Sequence, residues 1–184
     1  MDWIIHRIDA IGRSVSSLKK DSFNSGKPEL DRYLKQYAMK NDATGIAKTF
    51  VALPAQVSQT IAGYYACSAS SFEHKELPLQ LQERLPGYPI PAILIGKLAV
   101  DRAMQGRGLG KRLLIHAFEN AIEVSEFLGV YAVKVDALDE QAKEFYQKFG
   151  FREMSDTPFS LFLPLTIVKE VRNAARSQSG ETPI

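Results

Sequence analysis

Three glycines at alternate positions, with basic residues around them, are the most chemically informative feature of this 184-residue chain. Gly106, Gly108 and Gly110 follow an apolar strand pattern and precede a helical one. Glycines let a backbone bend tightly and approach a ligand closely, and a helix N-terminus offers free N–H groups to an anion. The run therefore predicts a turn that binds a phosphate or pyrophosphate. Positive charge at this turn comes from Arg102, Arg107, Lys111 and Arg112.

Two nucleotide-binding motifs share this plan, and both fail at specific residues. A Walker A loop needs an earlier glycine and a final Ser or Thr, where this chain has Gln105 and Arg112. The dinucleotide fingerprint Gly-x-Gly-x-x-Gly does not match the Gly-x-Gly-x-Gly spacing found here. A tight strand-to-helix turn that binds nothing remains the alternative interpretation.

The elements that must position this turn alternate between strands and helices. A first strand is predicted at 3–8, a helix over 28–41 that Pro28 begins, and a hairpin of strands at 49–53 and 60–67. The prolines of 68–91 predict a long loop with a short helix near 79–84, which we interpret as one wall of an acceptor site. After the turn, the pattern predicts a helix, a strand at 130–135, a helix that ends at Gly150, and strands at 151–154 and 159–163. The predicted buried face of the first of these helices is Leu109, Leu113, Leu114, Ala117, Phe118 and Ala121.

Composition predicts one domain over residues 1–173, followed by a disordered tail at 174–184. No apolar run is long enough to span a membrane and no secretion signal is apparent. Cys67 is the only cysteine, which favours a reducing cytoplasm, and the three histidines are too far apart in sequence to suggest a metal site. Lys and Arg exceed Asp and Glu by nine to six in residues 1–50 and by five to one in 96–112. This excess predicts anionic ligands at both places, although an ordinary solvated surface explains the N-terminal part equally well.

Two blocks of the sequence resemble the GNAT N-acetyltransferase superfamily. One is the strand ending Leu98-Ala99-Val100 with the turn from Gln105 to Gly110, which is similar to that superfamily's acetyl-CoA turn. The other is the Phe-Tyr-x-x-x-Gly-Phe pattern of residues 145–151. The resemblance implies an α+β, three-layer fold, in which helices flank a mixed central sheet of about six to seven strands whose central strands splay apart. Within the superfamily, short pieces at 23–26, 30–34, 48–51, 86–91 and 95–101 are similar to the TacT- and AtaT-like toxins of type II toxin–antitoxin systems.

The resemblance also implies how acetyl-CoA, the expected co-substrate, is bound and used without a metal. Its pantetheine arm would pair with the backbone of residues 98–100, and an N–H near Leu98 would polarise the thioester carbonyl. Tyr146 would act as the general acid that protonates the departing thiolate, and a plain core tyrosine is the alternative. Cys67 as an acyl-carrying nucleophile is a rival mechanism with little support, because no histidine is near it in sequence. The expected coenzyme contacts are Leu98, Ala99, Val100, Gln105, Gly106, Arg107, Gly108, Leu109, Gly110, Lys111, Asp136 and Phe149.

The expected function is a cytoplasmic toxin that acetylates the α-amino group of aminoacyl-tRNA and so blocks translation. A DNA-binding antitoxin of the ribbon-helix-helix type is the expected protein partner, and a homodimer is compatible with this function. A GNAT enzyme that acetylates a small-molecule or protein amine is the second hypothesis, and a CoA-binding module without turnover is the third. The predicted tRNA contacts are Lys27, Arg32, Lys35, Lys40, Lys48 and Lys97.

Overall fold

The computed structural model describes residues 2–11, 18–56, 59–155, 157–170 and 172, and within them a seven-stranded sheet with flanking helices. The strand order is β1-β2-β3-β4-β5-β7-β6. The neighbouring strands β1/β2, β2/β3, β5/β7 and β6/β7 are antiparallel. In the chain, a helix separates β4 from β5. The predicted mixed sheet flanked by helices is therefore confirmed. The strands are Trp3–Arg7 (β1), Lys48–Pro54 (β2), Gly63–Phe72 (β3), Ile90–Val100 (β4), Ala132–Asp136 (β5), Arg152–Glu153 (β6) and Ser160–Pro164 (β7).

Two compact units divide the chain, one made of residues 1–68 with 95–117 and the other of residues 69–94 with 118–184. The helices are Pro28–Arg32 (α1), Ala38–Ala43 (α2), Leu79–Gln82 (α3), Leu109–Val124 (α4) and Glu140–Gln147 (α5), and residues 165–170 are also helical. A single domain over 1–173 remains a prediction, and the predicted disordered tail at 174–184 lies outside the described residues.

The predicted N-terminal helix is present in the first unit and contains a π-helical turn. Pro28 stands in its first turn, where a missing N–H costs nothing, and Tyr33–Tyr37 form the wider turn between α1 and α2. Leu34 and Ala38 are buried together with Tyr64 of β3. The Tyr64 hydroxyl donates a hydrogen bond of 2.7 Å to the Leu30 carbonyl. These contacts fix the inner face of the helix, so its basic residues are left on the outer side.

The helix after the glycine turn buries the face that the sequence predicts. All six of the predicted inward residues of α4 are at most 4% exposed. The prediction is accurate here because apolar residues recur at three- and four-residue spacing over the whole helix, and one stripe of a helix must face the core.

The predicted long loop is shorter than the sequence suggested, and it is well ordered by hydrogen bonds within the second unit. β3 continues to Phe72 and β4 already begins at Ile90, so the expected break over 68–91 is wrong at both ends. His74 Nε2 lies 2.9 Å from the Gln82 carbonyl oxygen, which ties the start of the segment to α3. The Ser155 hydroxyl donates to the Leu77 carbonyl at 3.0 Å, which anchors the segment to the rest of this unit.

The helix that carries Tyr146 has a side-chain cap at its N-terminus. The Asp139 side chain accepts a hydrogen bond from the Ala142 N–H at 2.9 Å, which satisfies one of the free donors of the first turn of α5. Gly150, at φ +89°, ends the helical region in a conformation that other residues adopt only under strain. Among the described residues, no helix has the length and apolar character that a bilayer crossing requires.

Candidate active site

The glycine turn has the backbone conformation that its sequence predicts. Gly106 and Gly108 have φ values of +74° and +80°, in the left-handed region that side chains disfavour. A Cβ atom at either position would meet nothing within 4 Å, so conformation and not space requires glycine here. A short 3₁₀ turn, Arg102–Met104, precedes them and begins at Asp101, whose carboxylate accepts a hydrogen bond from the Ala103 N–H at 2.9 Å.

The start of α4 supplies the donors and the charge that an anion needs. The Arg112 N–H makes the first helical hydrogen bond, to the Gly108 carbonyl at 3.2 Å. The N–H groups of residues 109–111 precede it and therefore have no acceptor within the helix. Lys111 and Arg112 are exposed beside these donors, and so is Arg107. The turn can therefore hold a phosphate group by backbone donors, the helix dipole and two or more cations.

Two residues of the turn also contact the N-terminal part of the chain. The Gln105 side-chain amide donates to the Ser25 carbonyl at 2.9 Å and to the Val100 carbonyl at 3.0 Å. The Arg102 guanidinium packs against Gly26. A Cβ atom added at Gly26 would come within 2.6 Å of Arg102 Nε. Gln105 stays a predicted coenzyme contact, and its side-chain N–H groups are used inside the protein.

The end of β4, where the pantetheine arm is predicted to lie, is firmly attached to β3. The Asp101 N–H donates to the Ala62 carbonyl at 2.9 Å. A Cβ atom on Gly63 would lie 2.9 Å from the Ala99 carbonyl oxygen, so a side chain there would push the two strands apart. Leu98 and Val100 are half-buried, and their role in coenzyme binding stays a prediction.

Tyr146 is the buried centre of an aromatic cluster in the second unit. Its ring contacts Phe145 and Phe151 edge to face, with centroids 5.2 Å and 5.4 Å away. Burial raises the pKa of the Tyr146 phenol well above the usual range, and the negative charge of Asp136 raises it further. No group in the described part of the chain hydrogen-bonds to the Tyr146 hydroxyl. The phenol is therefore protonated at neutral pH and has a proton to donate.

Two further predicted coenzyme residues lie in the same unit as Tyr146. Asp136 is exposed at the end of β5, where its Oδ1 accepts a hydrogen bond from the Ser160 hydroxyl at 2.6 Å. Phe149 is half-buried, with its ring 5.1 Å from that of Phe145. Their contacts orient both side chains, and their contact with coenzyme stays a prediction.

The six predicted tRNA contacts fall into two groups by their partners in the first unit. Lys48 Nζ lies 3.1 Å from Oδ1 of Asp42, a carboxylate only 2% exposed, and it also donates to the Asp42 carbonyl. Lys97 Nζ lies 3.3 Å from Glu29 Oε1. These two cations are partly neutralised within the protein. Arg32 and Lys40 are exposed, whereas Lys27 and Lys35 are half-buried.

Cys67 is half-buried rather than buried, and it is not a ready nucleophile. Burial raises the pKa of its thiol to about 11, and the charge of Asp42 contributes to this rise. A thiol with this pKa is almost entirely protonated at neutral pH, whereas the thiolate is the reactive form. Within the described ranges, no group of three or more His, Cys, Asp or Glu side chains is arranged to hold a metal ion.

One polar pair was missed by the sequence analysis, which gave His116 no role. The Tyr65 hydroxyl lies 2.7 Å from His116 Nδ1, and the Tyr65 ring stacks on Phe50 with centroids 4.8 Å apart. The partners lie on β2, β3 and α4, and no periodicity in the sequence connects them. The pairing of β2 with β3 places Phe50 opposite Tyr65, so a correct strand register was the only available signal.

Comparison with known proteins assigns the family. Residues 47–153, more than half of the chain, match the family described as an acetyltransferase (GNAT) domain. The chain is 36% identical over 151 residues to a Mycobacterium tuberculosis (strain ATCC 25618 / H37Rv) protein named "tRNA-acetylating toxin". The alignment covers 82% of this chain and 87% of that protein. The chain belongs to the GNAT acetyltransferase family. The predicted enzyme class, an N-acetyltransferase, is confirmed.

Solved structures of similar fold agree with this assignment. A tyrosine-to-phenylalanine mutant of KacT has a TM-score of 0.85 and 26% identity, covering 93% of this chain and 99% of that one. AtaT complexed with acetyl-methionyl-tRNAfMet has a TM-score of 0.82 and 26% identity, covering 92% and 99%. The KacTA–DNA complex has a TM-score of 0.76 and 26% identity, covering 94% and 99%. The resemblance to the AtaT-like group of toxins is thereby confirmed.

Proposed function

We propose that this protein is a toxin that transfers the acetyl group of acetyl-CoA to the α-amino group of an aminoacyl-tRNA. The relative named as a tRNA-acetylating toxin and the neighbour solved with an acetylated tRNA support this substrate class. The observation that carries the proposal is the exposed basic side of the α1–α2 helix, in a chain of a family whose members transfer acetyl groups. Nucleic acid is the macromolecule that such a surface attracts most strongly.

The glycine turn fits the diphosphate of acetyl-CoA. Backbone donors at 109–111 and the cations Arg107, Lys111 and Arg112 together match a doubly charged group. The glycines at 106 and 108 allow the positive φ that bends the backbone around such a ligand. The thioester would follow the end of β4, and the N–H of Leu98 would stabilise the developing oxyanion.

The chemistry needs a neutral amine and a proton for the leaving group. An α-amino group has a pKa of about 8, so a useful fraction is neutral without a strong base. The amine nitrogen forms a bond to the thioester carbonyl carbon, and the carbon–sulfur bond then breaks. The released thiolate takes a proton from the Tyr146 phenol, and the proton lost by the amine restores the phenol. Because the pKa of Tyr146 is raised, the phenol is protonated at neutral pH and has this proton when the thiolate leaves.

The tRNA contacts proposed here carry unequal weight. Arg32 and Lys40 are exposed, and within the described part of the chain neither forms an ion pair, whereas Lys48 and Lys97 pair with Asp42 and Glu29. We therefore expect the charge reversals Arg32→Glu and Lys40→Glu to weaken tRNA binding most. Lys35 and Lys27 would contribute from half-buried positions at the same helix.

Salt dependence of tRNA binding measures these contacts separately. Arg32→Gln and Lys40→Gln should each reduce the slope of log affinity against log salt by about 1, the value for one lost phosphate contact. Arg152→Gln, a change of the same kind at an exposed position of the second unit, is the matched control and should leave the slope unaltered. Equal slopes for wild type and the Arg32 and Lys40 variants would contradict this interface.

Turnover itself is tested with purified protein, acetyl-CoA and a pool of charged tRNAs. Acetylated aminoacyl-tRNA should appear, and uncharged tRNA should not consume acetyl-CoA. Growth of bacteria that express the chain should stop, and Tyr146→Phe should restore growth. Consumption of acetyl-CoA with small amines or protein amines alone, together with normal growth, would refute the tRNA substrate and favour the second hypothesis.

A partner and a cellular setting complete the proposal. The KacTA–DNA neighbour supports a DNA-binding antitoxin, and we propose one of the ribbon-helix-helix type. We also propose a cytoplasmic protein with a single catalytic domain over 1–173, and a homodimer. Co-expression with the adjacent reading frame tests the antitoxin: copurification with loss of toxicity is expected, and continued growth arrest would contradict it. Light scattering of the purified protein tests the dimer.

A further inference from the structure

The glycine turn is joined to the segment that leads into α1, and this connection has a consequence for both substrates. The Asn24 N–H donates to Asp101 Oδ2 at 2.9 Å, and the Arg102 N–H donates back to the Asn24 carbonyl at 2.9 Å. The Gln105 amide spans the Ser25 and Val100 carbonyls, as described above. We call this set of five residues the brace: Asn24, Ser25, Asp101, Arg102 and Gln105.

The brace continues into α1 through one carboxylate. The Ser25 N–H and hydroxyl both donate to Asp31 Oδ1, at 2.8 Å and 2.6 Å. Arg32, the first exposed cation of the proposed tRNA surface, is the next residue in the chain. At its other end, Gln105 precedes Gly106, the first glycine of the turn with positive φ. Hydrogen bonds from Gln105 through Ser25 to Asp31, with one peptide link at each end, therefore connect the proposed diphosphate site with the proposed tRNA surface.

We propose that Gln105 and Asp101 are positioning residues through which acetyl-CoA and tRNA strengthen each other's binding. This inference rests on the proposed function. Each hydrogen bond of this kind contributes little net stability, so a partly exposed set opens locally more often than the core does. A diphosphate that binds only the closed turn shifts this equilibrium towards the closed brace. A tRNA that needs α1 in its closed position does the same, and linkage makes the effect reciprocal.

Affinity for coenzyme A, used as an unreactive probe, tests the role of Gln105. Gln105→Met keeps the side-chain length and removes both donors, so the dissociation constant should rise about tenfold. Gln105→Arg keeps N–H donors and should recover most of this loss. Gln56→Met, the same change at an exposed position just after β2, is the matched control and should bind like wild type. Unchanged affinity in Gln105→Met, or no recovery in Gln105→Arg, would overturn the assignment.

Coupling is measured by repeating the coenzyme A titration with saturating tRNA. Wild type should bind coenzyme A several-fold more tightly when tRNA is bound, and Gln105→Met should show the same affinity with and without tRNA. A merely structural role for Gln105 would weaken binding and leave this ratio unaltered, so an unaltered ratio would overturn the proposal. The proposal would also be overturned if wild type binds tRNA but does not then bind coenzyme A more tightly.

Amide hydrogen exchange separates failure of this proposal from failure of the proposed function. Saturating coenzyme A should slow exchange in a peptide covering residues 24–32 of wild type, and it should not do so in Gln105→Met. This measurement needs no tRNA, so it decides the brace even if the chain binds none. Protection confined to residues 101–112 in wild type would show that the brace transmits nothing.

Gly26 offers a second variant outside the glycine turn. A methyl group there would lie 2.6 Å from Arg102 Nε, and the φ of +86° adds strain. Gly26→Ala should therefore displace the Arg102 guanidinium and strain the segment that carries Asn24 and Ser25, and so weaken coenzyme A binding several-fold, while a thermal melt shows that the protein still folds. Coenzyme affinity equal to wild type in this folded variant would contradict transmission through the brace.

Discussion

The glycine turn and the cluster around Tyr146 are built from opposite materials. The turn consists of exposed backbone, exposed cationic side chains and hydrogen bonds near the surface. The cluster consists of aromatic rings around a phenol that is only 6% exposed. The turn offers many hydrogen-bond donors to a charged ligand, whereas the cluster holds one phenol proton largely out of contact with water. Binding an anion and holding a proton at a chosen atom therefore make different demands on the sequence.

This contrast implies that the two regions fail in different ways. In the turn, the proposed binding depends on backbone conformation, so we expect a change in φ to weaken it even where no side-chain contact is lost. In the cluster, a single oxygen atom carries the proposed chemistry, and the surrounding rings set its pKa. Substitutions can separate the two by their effects on coenzyme affinity and on turnover.

The largest effect is expected from Tyr146→Phe. Loss of the general acid should reduce kcat by about 100-fold or more, because the thiolate must then leave without a proton. Affinity for acetyl-CoA should stay within about twofold of wild type, since the ring and its contacts are retained. Single-turnover kinetics and calorimetry measure the two quantities. A kcat close to that of wild type would remove Tyr146 from the mechanism.

A smaller effect is expected from Gly108→Ala in the turn. The methyl group meets no neighbour, but the φ of +80° costs an L-residue about 1–2 kcal/mol. We expect the turn to relax and coenzyme affinity to fall about tenfold, with little change in kcat at saturation. Gly87→Ala, also in open space and without positive φ, is the matched control and should bind normally. Equal coenzyme affinity in Gly108→Ala and Gly87→Ala would show that coenzyme binding does not depend on the conformation of the turn.

Alkaline pH should change stability through Tyr146 by a further, smaller amount. The pKa of the folded phenol is raised above the unfolded value of about 10, so the protonated form is favoured in the folded state. This contribution is complete below pH 10 and is lost as the pH rises from there towards the folded pKa. Wild type should therefore lose about 1 kcal/mol relative to Tyr146→Phe between pH 9 and pH 11. Urea unfolding at each pH measures this difference, and parallel curves would contradict the raised pKa.

No effect on activity is expected from Cys67→Ala. The thiol has a pKa raised to about 11, so almost none of it is thiolate at pH 7.5. Wild type should also react slowly with iodoacetamide at this pH, and faster as the pH approaches 11. An inactive, folded Cys67→Ala variant would instead support the covalent mechanism and shift the chemistry away from Tyr146.

Parts of the site were predictable because they depend on local sequence. The cap at Asp139, the stop at Gly150 and the buried stripe of α4 all follow from spacing within one element. Strand ends were predicted less well. β3 continues through the small polar residues before Phe72, and β4 includes Pro91 near its start. Neither the end of β3 nor the start of β4 has strong strand propensity in its sequence. Pairing with neighbouring strands decides such positions, and pairing is not local.

The sequence by itself determined the backbone path of the turn, since only glycine adopts positive φ without strain, and it determined the inward face of each long helix. Only the tertiary structure decided which polar groups meet: Gln105 with Ser25, Lys48 with Asp42, and Tyr65 with His116. The reason is that conformational preference belongs to a residue and its neighbours in sequence. A hydrogen bond or ion pair between distant residues exists only after packing has brought their atoms within about 3 Å of each other.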